Sequence, residues 1–568
     1  MNIIDKISII IHILRWRFTW NRKNLNYRKK GLTNPKFITG TEFGAMIKDG
    51  MTIFSAGMAG NHRCSLFNWS IKENVLKTGH PKGLTWIAPG AQGSRELVPG
   101  SLDELAIPGV ITKMISGHYN TLRGIPRMAR GKHLEMHVLP LGIIALILEA
   151  QGKNEMSLVS ETGVGTFLDP DVGKGSYVCG LPPTENFVEK IDGKLKYHLP
   201  CPDFALFVAP YADEEGNIYF TNGCTYTESY EGALASRNNG GKVVVSVSDI
   251  IPKNEKEIYL PAEMVDYIII HSYNEQTGSV PQSRYWECLT VGSQKDIDIS
   301  VGKLTYLNHF VKVTPIRVPA EDAVARAAAK LFMKMVRKGE WINIGTGLPE
   351  EVSRMVYEGG IYKDITFFTE TGVIGGLPAP GSFFGAAVNP VQIMKESEMF
   401  HYIYSKTELT TILGMIEADS EGNVNVSKRG EDPGLYVGVG GFCDITYSAK
   451  NIIFIGSWMQ KAKFDISTGK MKMIRPGDFK FVEKVGEITF NGKEGLRKGK
   501  NIYYATNVGI FRLTEKGMCL IQVMPGIDIQ KDIMESCPMK VVLPDDGKVE
   551  MISGEVVTGK GFTLQWPE

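Results

Sequence analysis

The sequence lacks several patterns that mark common enzyme classes. Its eight cysteines include no Cys-x-x-Cys pair, which argues against a zinc knuckle or a thioredoxin-like site. No Gly-x-x-x-x-Gly-Lys-Ser/Thr run occurs, and residues 345–350, Gly-Thr-Gly-Leu-Pro-Glu, lack the third glycine of a dinucleotide fingerprint. A Gly-x-Ser-x-Gly elbow is also missing. Chemistry that depends on ATP, on nicotinamide or on a serine nucleophile therefore has little support.

The segment His133-Leu-Glu-Met-His137 is the nearest approach to a metal motif. A zincin helix needs glutamate directly after the first histidine, whereas here it is the second residue on. The segment is typical of a strand, in which four residues separate the two histidines by about 13 Å at ~3.3 Å per residue. That distance is too long for one ion, and we predict no metal site.

The chain also has little net charge. Its 63 Lys and Arg residues nearly balance 62 Asp and Glu residues, for a net charge of +1, so no nucleic-acid partner is expected. A composition of 43% hydrophobic and 22% charged residues is typical of globular proteins. Scattered cysteines in a chain long enough to bury large cores favour reduced thiols and a cytoplasmic location.

Long hydrophobic runs are missing too, and the first 36 residues come nearest to one. The apolar stretch 3–14 is interrupted by polar residues, is too short for a membrane span, and precedes a basic stretch over 15–30. No small-residue cleavage site follows, which argues against a secretory signal. Three interpretations stay open: a helix that packs or makes an oligomer contact, a weak peripheral membrane contact through residues 1–30, and a targeting segment.

An internal repeat organises the rest of the chain. Ala212-Asp-Glu-Glu-Gly-Asn217 recurs as Ala418-Asp-Ser-Glu-Gly-Asn423, and each copy precedes a strand-like run. Strand patterns alternate with helix patterns in both halves, which predicts two related, open, mostly parallel α/β domains. We place these domains at residues 37–275 and 318–555. A connecting segment of loop and some extended structure spans 276–317, and a tail spans 556–568. A ligand site between such domains is the default expectation.

Glu370 is the most informative residue. It ends the run Asp364-Ile-Thr-Phe-Phe-Thr-Glu370, which is typical of a buried strand, and a loop rich in glycine and proline follows at 371–381. Ligands of α/β sheets bind beyond the carboxyl ends of strands. A carboxylate at that position can act as nucleophile or as acid and base. The alternative is a glutamate that merely ends a strand.

Glycine clusters provide further candidate residues. Gly57-Met-Ala-Gly60 and Gly345-Thr-Gly347 each follow a strand pattern, and main-chain N–H groups in such turns can hold an anion. Gly440 and Gly441 lie in Gly438-Val-Gly-Gly-Phe442, where main chain could pass close to a reacting centre and supply oxyanion donors. Each cluster could also be an ordinary tight turn.

The order of these motifs resembles the family I CoA-transferases. Glu370-Thr-Gly372 is followed by the runs 384–390, 421–427 and 438–442, and the fused propionate and acetate CoA-transferases are most similar, over residues 37–555. The resemblance implies that Glu370 forms a glutamyl-CoA thioester in a ping-pong transfer between a short-chain acyl-CoA and a carboxylic acid. It implies a homo-oligomer without a permanent cofactor, CoA itself being a substrate. The implied residues that bind substrate or CoA are Gly57, Gly60, Gln92, Gly142, Gly345, Gly347, Gly376, Gly440 and Gly441.

The chain departs from that family pattern at two places. The usual Pro-Gln-Gly element is Pro140-Leu-Gly142 here, and the usual Asp-Gly-Gly-Gly-Leu-Asp element is replaced at 404–410. By resemblance, Leu141 faces Glu370 across the domain cleft. Two alternatives stay open: an acyl-CoA hydrolase that uses the same glutamate, and a non-catalytic acyl-CoA-binding protein recruited by its N-terminal helix. Because every site motif lies beyond residue 36, removing residues 1–35 is expected to leave activity nearly unchanged.

Overall fold

The computed structural model describes residues 2–94, 97–282 and 286–567. Residues 283–285, inside the predicted connecting segment, lie outside the described part. The helices are α1 Ile3–Thr19, α2 Gly40–Met46, α3 Ser65–Thr78, α4 Gly124–Arg130, α5 Leu141–Gly152, α6 Ser229–Asn238, α7 Ile297–Phe310, α8 Pro319–Met335, α9 Pro349–Glu358, α10 Glu396–Tyr404, α11 Phe442–Ser448, α12 Gly492–Arg497 and α13 Gly554–Thr558.

The first half is built on one large sheet covered by helices. Pairing is parallel through its centre and antiparallel at the outer strands 177–180 and 218–219. In spatial order the strands are Ile258–Leu260, Ile218–Tyr219, Phe204–Ala212, Thr52–Ser55, Leu84–Ile87, Ile111–Ser116, Glu135–Val138 and Tyr177–Gly180, while Lys242–Ile250 pairs with Phe204–Ala212 and with Tyr267–Ile270. A small separate sheet consists of Ser157–Ser160, Lys194–His198 and Val188–Ile191.

The second half repeats this plan. Its sheet runs, in spatial order, Thr366–Phe367, Trp341–Ile344, Leu409–Gly414, Asn451–Ile455, Asn501–Ala505, Gly509–Thr514, Gly517–Val523 and Glu550–Met551, and the first five strands are parallel. Short two-stranded pairs are Glu275–Thr277 with Val280–Pro281, Val373–Ile374 with Gln392–Ile393, Leu377–Pro378 with Ala387–Val388, Glu417–Ala418 with Val424–Asn425, Met459–Gln460 with Asp478–Phe479, and Lys463–Asp465 with Lys472–Arg475. The predicted fold class is confirmed.

The sequence repeat corresponds to one turn built twice. In the first copy, the Asp213 carboxylate accepts from the Asn217 backbone N–H at 2.9 Å and from its side-chain amide at 2.7 Å. In the second copy, Asp419 accepts from Asn423 in the same two ways, at 3.0 and 3.1 Å. An aspartate that bonds its own following backbone forms a tight turn, and here each turn joins two antiparallel strands.

Helix α8 illustrates how local sequence builds the second domain. Pro319 occupies its first turn, and the Glu321 carboxylate accepts from the Val318 backbone N–H at 3.1 Å. Proline and acidic residues suit a helix N-terminus, as the sequence pattern predicts. The small buried side chains of α8 let it lie close to α9 and to the central strands.

The connecting segment carries a helix that the sequence pattern did not predict. Helix α7 begins after Asp296, whose carboxylate accepts from the Ile299 backbone N–H at 2.8 Å. Its buried residues Leu304 and Leu307 join a small apolar cluster with Ile9 and Ile13 of α1. The N-terminal extension is therefore a helix packed on α7. Among the described residues, no helix is both long and apolar enough to cross a bilayer.

The C-terminal tail also packs against the second domain. Val556 and Val557 are buried in the main core, and the Val556 carbonyl accepts from the Arg326 guanidinium at 2.6 Å. Farther on, the Trp566 indole donates to the Asp364 carboxylate at 2.7 Å. This indole anchors the tail beside the strand that leads to Glu370.

Candidate active site

Glu370 lies just beyond the strand Thr366–Phe367 and faces a cavity of about 870 Å³. Both halves of the chain build the cavity wall: Gly60 and Leu141 come from the first half, and Gly345 and Gly441 from the second. The site therefore lies between the two domains, at the carboxyl end of a strand, where ligands of α/β proteins bind.

Asn343 lies beside Glu370 because their strands are parallel neighbours. The Asn343 side-chain amide donates to Glu370 Oε1 at 3.4 Å, a long hydrogen bond. Burial raises the pKa of Glu370 above its ordinary value, and the amide of Asn343 opposes that rise. A carboxylate that has lost part of its hydration is more basic and more nucleophilic than one in water.

Residues of both halves of the chain contact the turn that carries Glu370. Gly372 has φ of +87°, and a Cβ there would lie 2.1 Å from the Met394 carbonyl oxygen, so only glycine fits. The Thr371 hydroxyl donates to the Gly385 carbonyl, and the Thr371 carbonyl accepts from the Thr225 hydroxyl of the first half at 3.1 Å. The position of Glu370 thus depends on contacts across the domain interface.

Backbone hydrogen bonds also join the two halves around the cavity. Gly440 donates to the Gly117 carbonyl at 2.7 Å, and its own carbonyl accepts from the Leu141 N–H at 2.9 Å. Because the Gly440 N–H is engaged in this way, it is not aimed at a reacting carbonyl in this structure. Gly441 is the residue that approaches Glu370: a Cβ on it would lie 2.7 Å from Glu370 Cγ.

The other predicted glycine turns reach the cavity only in part. Gly60, Gly345 and Gly347 line the cavity together with Gly440 and Gly441. The Gly347 N–H, which we expected to hold an anion, donates to the Glu350 carboxylate at 3.0 Å. A side chain of the protein therefore occupies that donor in this structure.

Four predicted residues do not line the cavity: Gly57, Gln92, Gly142 and Gly376. Gln92 bonds the Ala56 carbonyl and the Cys64 N–H, at 2.6 and 3.0 Å, and so braces the loop that begins at Gly57. A Cβ on Gly142 would lie 2.6 Å from the Phe400 ring, and one on Gly376 would lie 2.2 Å from a backbone carbonyl. Gly142 and Gly376 therefore allow close packing behind the cavity wall.

The two segments that depart from the family pattern, 140–142 and 404–410, both contact the buried side chain of Asp444. Leu141 lines the cavity, and the next residue, Gly142, donates its N–H to the Asp444 carboxylate at 3.0 Å. The Tyr404 hydroxyl donates to the other oxygen of Asp444 at 2.7 Å. Burial raises the pKa of Asp444 to about 7. The altered segment at 404 thus supports the start of α5 from behind the cavity wall.

Several wall residues were missed by sequence reasoning. Asn343 could have been found, because it lies only two residues before the glycine turn at 345. Trp16 and Arg17 of α1 also line the cavity, as do Arg63 and Ser279. Six basic side chains (Arg17, Arg63, Lys312, Arg317, Arg354, Arg429) and four acidic ones (Asp322, Glu350, Glu351, Glu370) lie in this wall, and several of the basic ones are ion-paired: Arg63 with Glu275, Arg317 with Glu351 and Arg354 with Glu358.

Comparison with known proteins gives concordant matches. The Coenzyme A transferase family model matches residues 41–271. The caffeate CoA-transferase of Acetobacterium woodii is 32% identical over 542 residues, which cover 91% of this chain and 97% of that protein. The chain belongs to the family I CoA-transferases. An acetate CoA-transferase, YdiF of Escherichia coli strain K12, is 29% identical over 87% of this chain and 90% of its own length.

The fold of this CoA-transferase is also that of a solved relative. The crystal structure of the acyl-CoA transferase YdiF from E. coli O157:H7, in a thioester complex with CoA, superposes with a TM-score of 0.81. The match is 26% identical and covers 93% of this chain and 97% of that one. The protein is therefore an enzyme of the CoA-transferase type, for which CoA is a substrate.

Proposed function

We propose that this CoA-transferase moves CoA from a short-chain acyl-CoA to a carboxylic acid through a thioester on Glu370. The observation that carries the proposal is the placement of Glu370, partly buried at the wall of a cavity between the two domains. Its raised pKa and the close approach of Gly441 suit a nucleophile that must reach a carbonyl carbon in a confined space.

The first half-reaction begins at the Glu370 carboxylate. One oxygen attacks the thioester carbonyl, and when the tetrahedral intermediate collapses the C–S bond breaks and CoA leaves as the thiolate. The product is a mixed anhydride between Glu370 and the acyl group. The thiolate then attacks the Glu370 carbonyl carbon, the C–O bond to the acyl group breaks, and the first acid leaves as its carboxylate. Glu370 now carries CoA as a thioester.

The second half-reaction reverses these steps with another acid. The acceptor carboxylate attacks the glutamyl thioester, which expels the CoA thiolate and forms a second mixed anhydride. The thiolate attacks the acceptor carbonyl, and the Glu370 carboxylate is restored. No proton is gained or lost overall. Retaining the thiolate within the cavity makes its attack effectively unimolecular, which lowers the barrier by several kcal/mol or more.

Asn343 is the residue best placed to assist this chemistry. Its side-chain amide already reaches Glu370 Oε1, and that oxygen becomes an oxyanion when the thiolate attacks the Glu370 carbonyl. A donor that shortens its bond as charge develops stabilises the transition state more than the ground state.

Hydrolysis by the same glutamate is the alternative within this mechanism, with water in place of the acceptor acid. A two-substrate initial-rate study separates the two. Transfer through a covalent enzyme form gives parallel double-reciprocal lines when the acyl-CoA and the acid are varied. Intersecting lines would contradict the covalent form. Release of free CoA at the full rate without any acid would identify a hydrolase.

We also propose that α1 gives the enzyme a weak contact with an anionic lipid surface. One face of the helix packs on α7 through Ile9 and Ile13, while Arg15 and Arg17 flank the opposite face. Apolar faces with basic borders suit the boundary between headgroups and acyl chains. The residues of this exposed face, here called the α1 stripe, are Ile3, Ile4, Ile7, Ile11, Leu14 and Phe18.

A cytoplasmic location is consistent with the cysteines, all eight of which are free thiols. The homo-oligomer that the family resemblance implies stays a prediction. A purely binding role recruited by α1 is less well supported than catalysis, because Glu370 keeps its place at the cavity and its neighbours Asn343 and Gly441.

A further inference from the structure

A buried ion pair lies in the cavity wall apart from Glu370. The Arg63 side chain is only 4% exposed, and its Nη2 donates to one oxygen of Glu275. The other oxygen of Glu275 accepts from the indole N–H of Trp16. The N-terminal helix therefore holds Glu275 in place, and Glu275 in turn anchors the Arg63 guanidinium through Nη2.

This pair leaves donors unused. Within the described part of the chain, Nε and Nη1 of Arg63 have no hydrogen-bond partner, although both are buried. The hydroxyl of Ser279 is likewise buried without a partner. Arg63 and Ser279 both line the cavity. Buried donors in native proteins are nearly always paired, so unpaired ones in a cavity wall point to a ligand.

Backbone contacts join the segments that carry the two residues and place these segments near the turn of Glu370. The His62 N–H donates to the Gln276 carbonyl at 3.0 Å, which aligns the segment before Arg63 with the strand before Ser279. On the other side, the Asn61 amide donates to the Phe384 carbonyl at 2.9 Å. A Cβ on the adjacent Gly385 would lie 2.7 Å from that amide and 3.1 Å from Thr371, the residue after Glu370.

Charge decides what this subsite accepts. Burial lowers the pKa of Arg63 to about 10, which leaves it protonated at neutral pH. Its charge is already balanced by Glu275, so a second carboxylate would add an uncompensated negative charge in a desolvated place. A hydroxyl or carbonyl oxygen can accept from guanidinium N–H groups and from a serine hydroxyl without that cost.

We propose that Arg63 and Ser279 bind an uncharged oxygen on the acyl chain, so that the enzyme prefers hydroxy or oxo acids to alkyl acids of equal length. This inference rests on the proposed transferase function. Arg63 and Ser279 are then residues that set specificity, and Trp16 and Glu275 are positioning residues that act through Arg63.

The test compares acceptor acids of equal length. With acetyl-CoA as donor, kcat/KM is measured for butyrate and for 3-hydroxy-, 4-hydroxy- and 3-oxobutyrate. Sites built to bond a substrate oxygen strongly reject analogues that lack it. We expect at least one oxygenated acid to exceed butyrate by about tenfold or more in the wild type. Equal values for all four acids would overturn the inference.

The matched variant is Arg63→Met combined with Glu275→Gln, which removes both charges together. In this variant the ratio of kcat/KM for the preferred oxygenated acid to kcat/KM for butyrate should fall by about tenfold, whatever the absolute rates. A change of that size corresponds to the loss of a hydrogen bond from a charged donor. The control is Arg237→Met with Asp266→Asn, an ion pair outside the cavity wall, which should keep the wild-type ratio. An unchanged ratio in the first variant would contradict the assignment.

A smaller change covers the case in which the double variant does not fold. Ser279→Ala should lower the same ratio about threefold, since it removes one uncharged donor, and an unchanged ratio would contradict the assignment. Mass analysis of Glu370 after incubation with acetyl-CoA accompanies each assay. Absence of a CoA adduct in the wild type would refute the transferase mechanism itself. An adduct with equal kcat/KM for all four acids would refute only the Arg63 subsite.

Discussion

Gly441 lies against Glu370 so closely that a single methyl group on it would meet Glu370 Cγ at 2.7 Å. Gly441 has φ of −86°, which alanine adopts without strain. Alanine at position 441 should therefore leave the fold of the loop intact while it displaces the Glu370 side chain.

Gly441→Ala should reduce kcat by about 100-fold, because a displacement of about 1 Å at a reacting group has that effect. The melting temperature should change little. Gly302→Ala is the matched control, since a Cβ at this α7 position meets nothing within 4 Å. Steady-state kinetics with acetyl-CoA measures both variants. Full activity in Gly441→Ala would show that Glu370 has room to move.

Asn343→Ala should shift the acid limb of the pH profile upward. Reaction requires ionised Glu370, so kcat/KM falls as pH drops through its pKa. Burial raises that pKa and the Asn343 amide opposes the rise, so removing the amide raises it further. The profile of kcat/KM against pH reports groups of the free enzyme.

A buried carboxyl group behind the cavity wall complicates that profile, because burial raises the pKa of Asp444 to about 7. The measurement should therefore be repeated with Asp444→Asn in both backgrounds. If the acid limb of kcat/KM stays in place or moves to lower pH in Asn343→Ala, the hydrogen bond from Asn343 to Glu370 is contradicted.

Deleting residues 2–21 should lower kcat/KM by about tenfold or more, contrary to the expectation from sequence. Trp16 and Arg17 line the cavity, and Trp16 holds Glu275 beside Arg63. Trp16→Phe removes the indole N–H but keeps an aromatic ring, and it should cause part of the same loss. Both proteins are assayed with acetyl-CoA and a panel of acids. Wild-type kinetics in the truncated enzyme would show that α1 is not part of the site.

The α1 stripe should bind vesicles that contain anionic lipid and should bind neutral vesicles weakly. Exchanging Ile4, Ile11 and Phe18 for serine should abolish co-sedimentation, since these side chains are 49–79% exposed and lie outside the cavity wall. Transfer activity in solution should persist in this variant. Equal sedimentation of wild type and variant would contradict lipid contact through the stripe.

Local sequence patterns predicted the fold class and the position of Glu370 just beyond a strand end. Two features depend only on residues that are close together in the sequence, so one sequence is enough to predict them. They are the repeated turn at Asp213 and Asp419, and the strand that ends at Glu370 before a glycine-rich loop. The pairing of Arg63 with Glu275 joins positions 212 apart. Such contacts follow from domain packing and leave no mark on local periodicity. The same holds for α1, whose apolar pattern indicated a helix but not its partner α7.

The most direct test of the account is the mass of the peptide that contains Glu370. After incubation with acetyl-CoA and no acceptor acid, that peptide should gain the mass of CoA, less one water, and borohydride should reduce the thioester at Glu370 alone. Glu370→Gln should show neither adduct nor transfer, and added acid should remove the adduct from the wild type. A CoA adduct on another residue, or rapid transfer by the Gln variant, would contradict the central claim.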